Sequence, residues 1–246
     1  MKPIISPVGD CAISIDFGQV IDPKINRHIR QTIERIQELN LDGIIELVPT
    51  YCALLLQYDA MLYSYAELCN IIEPTLEQTV TDNDNELVTV VEIPTVYGGE
   101  FGPDLGFVAS HNNLTEDEVV AIHSGTDYLV YMLGFIPGFT YLGGMDPRIA
   151  TPRLSSPRTL IPAGSVGIAG AQTGTYPSDS PGGWQIIGRT PVTMYDISKE
   201  QAALLSAGDY VRYVPIDEAE YNRIKALGAK YAPSMYEVEV GELRGY

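Results

Sequence analysis

The chain has 246 residues, enough for one large domain or two small ones, and 45% of them are hydrophobic, which supports a packed core and excludes wholesale disorder. Its formal net charge of −17 makes nucleic acid and anionic membrane surfaces poor partners, because phosphate recognition needs a basic footprint. No apolar run reaches the ~18 residues of a membrane-crossing helix.

The opening stretch, MKPIISPVGDCAISIDFG, places prolines and acids where a secretory leader needs an apolar block. Cys11, Cys52 and Cys69 are odd in number and lie in or beside apolar segments. They read as buried, reduced thiols and not as a disulfide frame, so a cytoplasmic setting is expected. No CxxC pair is present, and His28, His111 and His123 are far apart in sequence, so no metal site is expected.

In chain order, CAISIDFG reads as a strand. Asp22-Pro23 then offers an N-cap and a proline at the first helical position, ahead of a stripe of Ile25, Ile29, Ile33, Ile36 and Leu39 at helical spacing. GIIELV and CALLLQY read as two strands around a break at Pro49-Thr50-Tyr51, and a second helix is expected from about Ser64 to Glu77. Two helices on one side of a small antiparallel sheet make an α+β domain of the ferredoxin-like type, expected over residues 1–85. The polar, acidic TDNDNE at 81–86 reads as its linker to a second domain over 86–246.

That second region opens with the strand LVTVVEIP. Thr115 and Glu118 stand at capping-box spacing before the helix TEDEVVAIHS, and DYLVYMLGF follows as a strand. Residues 137–193 are dense in glycine and proline, with short apolar pieces such as SVGIAG and WQIIG, which indicates a mainly-β barrel or sandwich. SKEQAALLSAGD reads as a late helix and YVRYVPI as a closing strand.

Positive charge is segregated. From Ile36 to Pro147 there is no lysine or arginine, whereas residues 148–189 hold Arg148, Arg153, Arg158 and Arg189 against the single acid Asp179. Pro-Arg recurs every five residues, at Pro147-Arg148, Pro152-Arg153 and Pro157-Arg158. Proline confines these arginines to stiff, non-helical backbone, and arginine suits bidentate capture of carboxylate or phosphate. The segment therefore reads either as a pocket for a small anion or as a set of ion pairs with the chain's own surplus carboxylates.

GFIPGFTYLGG sets Phe135, Phe139 and Tyr141 around a tight turn, and SPGGW holds Trp184; both read as pocket wall or as core. His123 lies near the end of its helix, where the dipole favours a protonated imidazole. It can act as an acid or base, or as a structural hydrogen-bond partner. No Ser-His-Asp spacing supports nucleophilic catalysis, and GSVGIAG lacks the spacing and lysine of a phosphate loop.

VYGGEFGPDL, GFIPGFTYLGG and PRLSSPRTLIPAGSVGIAGAQTGTYPSDSPGGWQIIGRTP, with the N-terminal GDCAISIDFG and ELVPTYCALLLQYD, resemble the family of the 5-oxoprolinase B subunit. That family also contains the kinase-inhibitor protein KipI and the protein labelled allophanate hydrolase subunit 1. The resemblance spans roughly residues 5–215. It implies a small α+β domain followed by a cyclophilin-like β-barrel. It also implies a cytoplasmic hetero-oligomer with the 5-oxoprolinase A and C subunits that opens 5-oxo-L-proline to L-glutamate with ATP, used together with Mg, as co-substrate and no tightly bound cofactor.

Both substrates are anions. Arg153 and Arg158 are accordingly expected to bind anion, with Ser165, Gln172, Thr173 and Tyr176 as polar contacts and His123 as a candidate for proton transfer. The same family resemblance admits a regulator that binds a sporulation histidine kinase, and half of a biotin-dependent carboxyltransferase.

Overall fold

The computed structural model describes residues 3–76 and 85–245, and the chain divides into two compact units, Met1–Asn83 and Asp84–Tyr246. The expected linker at 81–86 lies, up to residue 84, outside the described residues.

In the first unit, β1 (Ile4–Val8) folds back on β2 (Ala12–Asp16), and α1 (Pro23–Glu38) follows. β3 (Ile44–Pro49) and β4 (Ala53–Tyr58) form a second hairpin ahead of α2 (Tyr65–Leu76). The sheet is antiparallel in the order β1-β2-β4-β3. α1 starts where its cap dictates: the Asp22 carboxylate accepts the Lys24 N–H at 2.8 Å, and Pro23 needs no donor there. Alternation puts Ile13, Ile15, Leu54 and Leu56 on one buried face, where they join Ile29 and Ile36 of α1 and Leu68 and Ile72 of α2 in one core. Each such side chain contributes about 1.5–3 kcal/mol by leaving water. β1 has no clear sequence signal because it carries Pro7, a residue that sheets accept at an edge, and the edge is where β1 lies.

The second unit is mostly β. It comprises β5 (Leu87–Tyr97), α3 (Leu105–His111), α4 (Glu116–Ser124), β6 (Asp127–Leu133), β7 (Thr140–Gly143), β8 (Arg158–Ile161) and β9 (Ser165–Ala169). β10 (Gln172–Thr175), β11 (Ser180–Gly182), β12 (Gln185–Arg189), β13 (Tyr210–Pro215), α5 (Glu218–Leu227) and β14 (Met235–Glu239) complete it. The main sheet runs β10-β9-β12-β5-β13-β6-β7. Its outer strands β7 and β10 lie against each other, so the sheet nearly closes as a barrel. β13 is therefore an interior strand, parallel to β5 and antiparallel to β6, and β14 pairs with the first half of β5. The core combines Val91, Ile93, Tyr128, Val130, Val166, Ile168, Ile187, Val211 and Tyr213 of the strands with Val108 and Val119 of the helices.

The capping box of α4 is present as the sequence indicates: Thr115 Oγ1 accepts the Glu118 N–H, and Glu118 accepts the Thr115 N–H at 2.7 Å. The late helix is not. Residues 198–209 run as turns that ladder back on the preceding chain, through Asp196 N–H to Ala202 O, Leu204 N–H to Met194 O and the bridge Tyr195–Ala203. Burial of Leu205 in the barrel core and a local turn at Asp196, which accepts from Ser198, outweigh helix propensity there. α3 and α5 are helices that composition alone does not mark.

Candidate functional site

The turn between β6 and β7, the β11–β12 connection and the loop at Arg153 surround a cavity of about 180 Å³. Its walls are Phe135, Phe139, Tyr141, Tyr176, Trp184, the segment Pro181–Gly183 and Arg153. Phe139 is the hub. Tyr141 meets it edge-on at 5.3 Å between ring centroids, and Phe135, Tyr176 and Trp184 each do so at 5.7 Å. Such pairs contribute about 0.5–1.5 kcal/mol each beyond area burial. The aromatic turn and Trp184 thus serve at once as a small core and as a pocket wall. Gly182 permits this closeness: a Cβ there would stand 2.5 Å from the Tyr176 hydroxyl and 2.7 Å from Ile161 Cδ1.

Phe135 departs from that pattern. Its φ is +71°, and the Ile136 N–H closes back on Gly134 O at 2.9 Å, a γ-turn of the strained, positive-φ kind. A bulky side chain in that conformation costs about 1–3 kcal/mol. The residue is 66% exposed and lines the cavity.

The arginines of the Pro-Arg repeat part ways. Arg148, on a 3-10 turn opened by Pro147, is held by Asp146 at 2.6 Å. Arg158, at the start of β8, reaches Asp104 at 2.7 Å and the Trp184 carbonyl at 3.3 Å. Asp104 also accepts the Ile186 N–H at 2.6 Å, so Arg158 completes a junction that ties α3 to β12. Arg153 is exposed on the cavity wall and has no ion pair or hydrogen bond among the described residues. Tyr176 shares that wall. Burial raises its phenol to about 12 even though the Arg153 charge pulls it down, so it stays protonated and able to donate near neutral pH.

His123 and Thr173 lie together in the barrel interior. Thr173 Oγ1 donates to Gly167 O at 3.0 Å, so it accepts from His123 Nε2–H at 2.8 Å. His123 Nδ1 is then the acceptor for the Tyr97 hydroxyl at 2.7 Å. The helix-end position suggests a protonated imidazole, but the ring is fully buried and desolvation lowers its pKa to about 3. Burial outweighs the helix dipole, because the dipole is worth at most about 2 kcal/mol and full desolvation several pKa units. Neither residue lines the cavity. Ser165 is fully buried on β9 with its hydroxyl unpaired, and Gln172 is half-buried on β10; neither lines the cavity either.

Of the expected anion and polar contacts, then, Arg153 and Tyr176 converge on one cavity. Phe135, Pro181 and Gly183 join them through the fold. Sequence signals for the turn aromatics and Trp184 existed; the signal for Asp104 as the partner of Arg158 did not, since 54 residues separate them.

The family model for the carboxyltransferase domain, subdomain C and D, matches residues 3–205. The chain is 45% identical over 231 residues to the 5-oxoprolinase B subunit of Bacillus subtilis, an alignment covering 90% of this chain and 96% of that one. Among solved structures, TTHA0988 superposes with a TM-score of 0.73 at 35% identity over 84% of this chain, which spans 40% of the TTHA0988 chain. The K. lactis urea amidolyase superposes at 0.78 over 96% of this chain and 16% of its own; at 21% identity it shares the fold alone.

Proposed function

Because the chain belongs to the family of the 5-oxoprolinase B subunit, within the carboxyltransferase subdomain C and D proteins, we propose that it is the B subunit of an ATP-dependent 5-oxoprolinase and acts with the A and C subunits in the cytoplasm. The near-full-length identity to the Bacillus subtilis protein carries this reading. The finer fold names, a ferredoxin-like first unit and a cyclophilin-like barrel, belong to the same proposal. The order β2-α1-β3-β4-α2 and the nearly closed sheet support them.

The reaction explains the use of ATP. A lactam carbonyl is a weak electrophile. Transfer of the γ-phosphoryl group to the lactam oxygen releases ADP and activates the carbonyl carbon; one water adds there, the C–N bond breaks with the ring nitrogen taking a proton as it leaves, and a second water hydrolyses the resulting acyl phosphate to glutamate and phosphate.

In this reading Arg153 holds the carboxylate of 5-oxo-L-proline, and the protonated Tyr176 phenol donates to a polar atom of the ring. The cavity of about 180 Å³ suits a small ring acid, since it falls below the ~300–1,000 Å³ of sites for drug-sized ligands. In this reading ATP with Mg binds elsewhere in the assembled enzyme. His123, neutral and engaged at both nitrogens, positions the barrel strands instead of exchanging a proton with the ligand. Among the described residues, no helix is long and apolar enough to cross a membrane.

The test is glutamate release from 5-oxo-L-proline by this chain co-expressed with the A and C subunits, each omitted in turn. ATP-dependent glutamate that disappears without this chain is the expected result. No glutamate from soluble, co-purifying chains refutes the proposal.

A further inference from the structure

We propose that Phe135 sets the specificity of the cavity, closing a slot that accepts a flat ring bearing one carboxylate and rejects the acyclic product. The identity of the ring, a five-membered lactam, rests on the function proposed above; the slot rests on the geometry.

Neither ordinary explanation fully accounts for Phe135. Core packing accounts for only part of it, because the residue meets Phe139 edge-on yet is 66% exposed. The turn does not explain it, because a φ of +71° favours glycine, and Gly138 in the same turn has a φ of +80°. A phenyl side chain held at that backbone angle lines the cavity while its residue stays largely exposed, which leaves it available to a bound molecule. Strained positions of this kind cluster at ligand clamps.

The rest of the lining supplies the remainder of the match. Tyr141, Tyr176 and Trp184 offer apolar ring surface, and Arg153 offers a cation with no ion pair among the described residues. A planar ring with one carboxylate satisfies both. Ring opening converts that ligand into a flexible chain with a second carboxylate and an ammonium group. The product then loses its flat contact with Phe135 and brings a charge for which the cavity wall has no further cation. Its weaker binding would clear the site for the next turnover.

Trp184 is the only tryptophan of the chain and lies in the wall, so its emission reports occupancy. The full chain is titrated with 5-oxo-L-proline, with 2-pyrrolidinone (the ring without its carboxylate), with L-glutamate and with pyrrole-2-carboxylate. The KM for 5-oxo-L-proline is measured in the assembled enzyme. The expected result is saturable change with 5-oxo-L-proline at roughly tenfold lower concentration than with glutamate or pyrrolidinone.

Phe135→Gly should weaken ring-acid binding and raise KM by about tenfold while holding or raising the thermal midpoint, because glycine relieves the turn. A merely structural Phe135 would lower stability and affinity together, and that outcome overturns the proposal, as does an unchanged KM. If the assembled enzyme makes no glutamate, the functional reading fails separately. Pyrrole-2-carboxylate then decides the slot: Phe135-dependent saturation upholds it and no saturation overturns it.

Discussion

Arg158 and Asp104, 54 residues apart, meet at 2.7 Å, and the same carboxylate holds the Ile186 N–H. The pair joins the start of α3 to β12, and its neighbour Arg153 is left as the cation facing the cavity. Two arginines with the same local sequence, Pro-Arg, therefore have different work to do.

Their variants should separate cleanly. Arg158→Ala leaves Asp104 largely buried with one donor fewer and should cost about 1–3 kcal/mol in urea denaturation, with ligand affinity within about twofold of wild type. Arg153→Ala removes an exposed side chain and should change stability by no more than about 0.5 kcal/mol, while weakening ring-acid binding at least about tenfold. The opposite pairing of effects would return Arg153 to the role of a surface charge.

His123 gives the fold an acid limit. Its folded-state pKa of about 3 lies below the ordinary 6.5, so the unfolded chain binds more protons between those values. The stability contributed by the neutral imidazole is complete above about pH 6.5 and is lost as pH falls toward 3, at up to about 1.4 kcal/mol per pH unit. His123→Asn, compared with wild type at pH 7 and pH 4.5, should be less stable at pH 7 yet lose less on acidification. Equal acid losses in the two proteins would contradict a buried neutral histidine.

Gly182→Ala should be disproportionately harmful for one methyl group. The new Cβ would meet the Tyr176 hydroxyl at 2.5 Å and Ile161 Cδ1 at 2.7 Å. Overpacking of this kind costs about 1–3 kcal/mol. Displacement of Tyr176 should also alter Trp184 emission, since the two rings meet edge-on at 6.0 Å. A variant with wild-type stability and emission would show that the wall yields freely.

Local signals were legible where neighbours in sequence are the physical cause. The Asp22 and Thr115 caps, the isoleucine stripe of α1 and the alternating strands β2 and β4 each depend on residues within a few positions. The segment 198–209 failed the same reading because its partners are the preceding strand-like residues and the barrel core, which override helix propensity. β1 and β14 were illegible because an edge strand with Pro7, and a strand with mixed exposure, carry weak patterns.

By itself the sequence determined that the chain is acidic with one island of positive charge, that a helix-and-sheet region precedes a strand-and-turn region, and that its motifs resemble one family. These follow from composition and short-range spacing. Only the tertiary structure decided which arginine faces a cavity, that His123 is neutral, and that the turn aromatics, Tyr176 and Trp184 share one wall. Those outcomes depend on distance in space and on burial, and residues dozens of positions apart acquire both only when the sheet nearly closes.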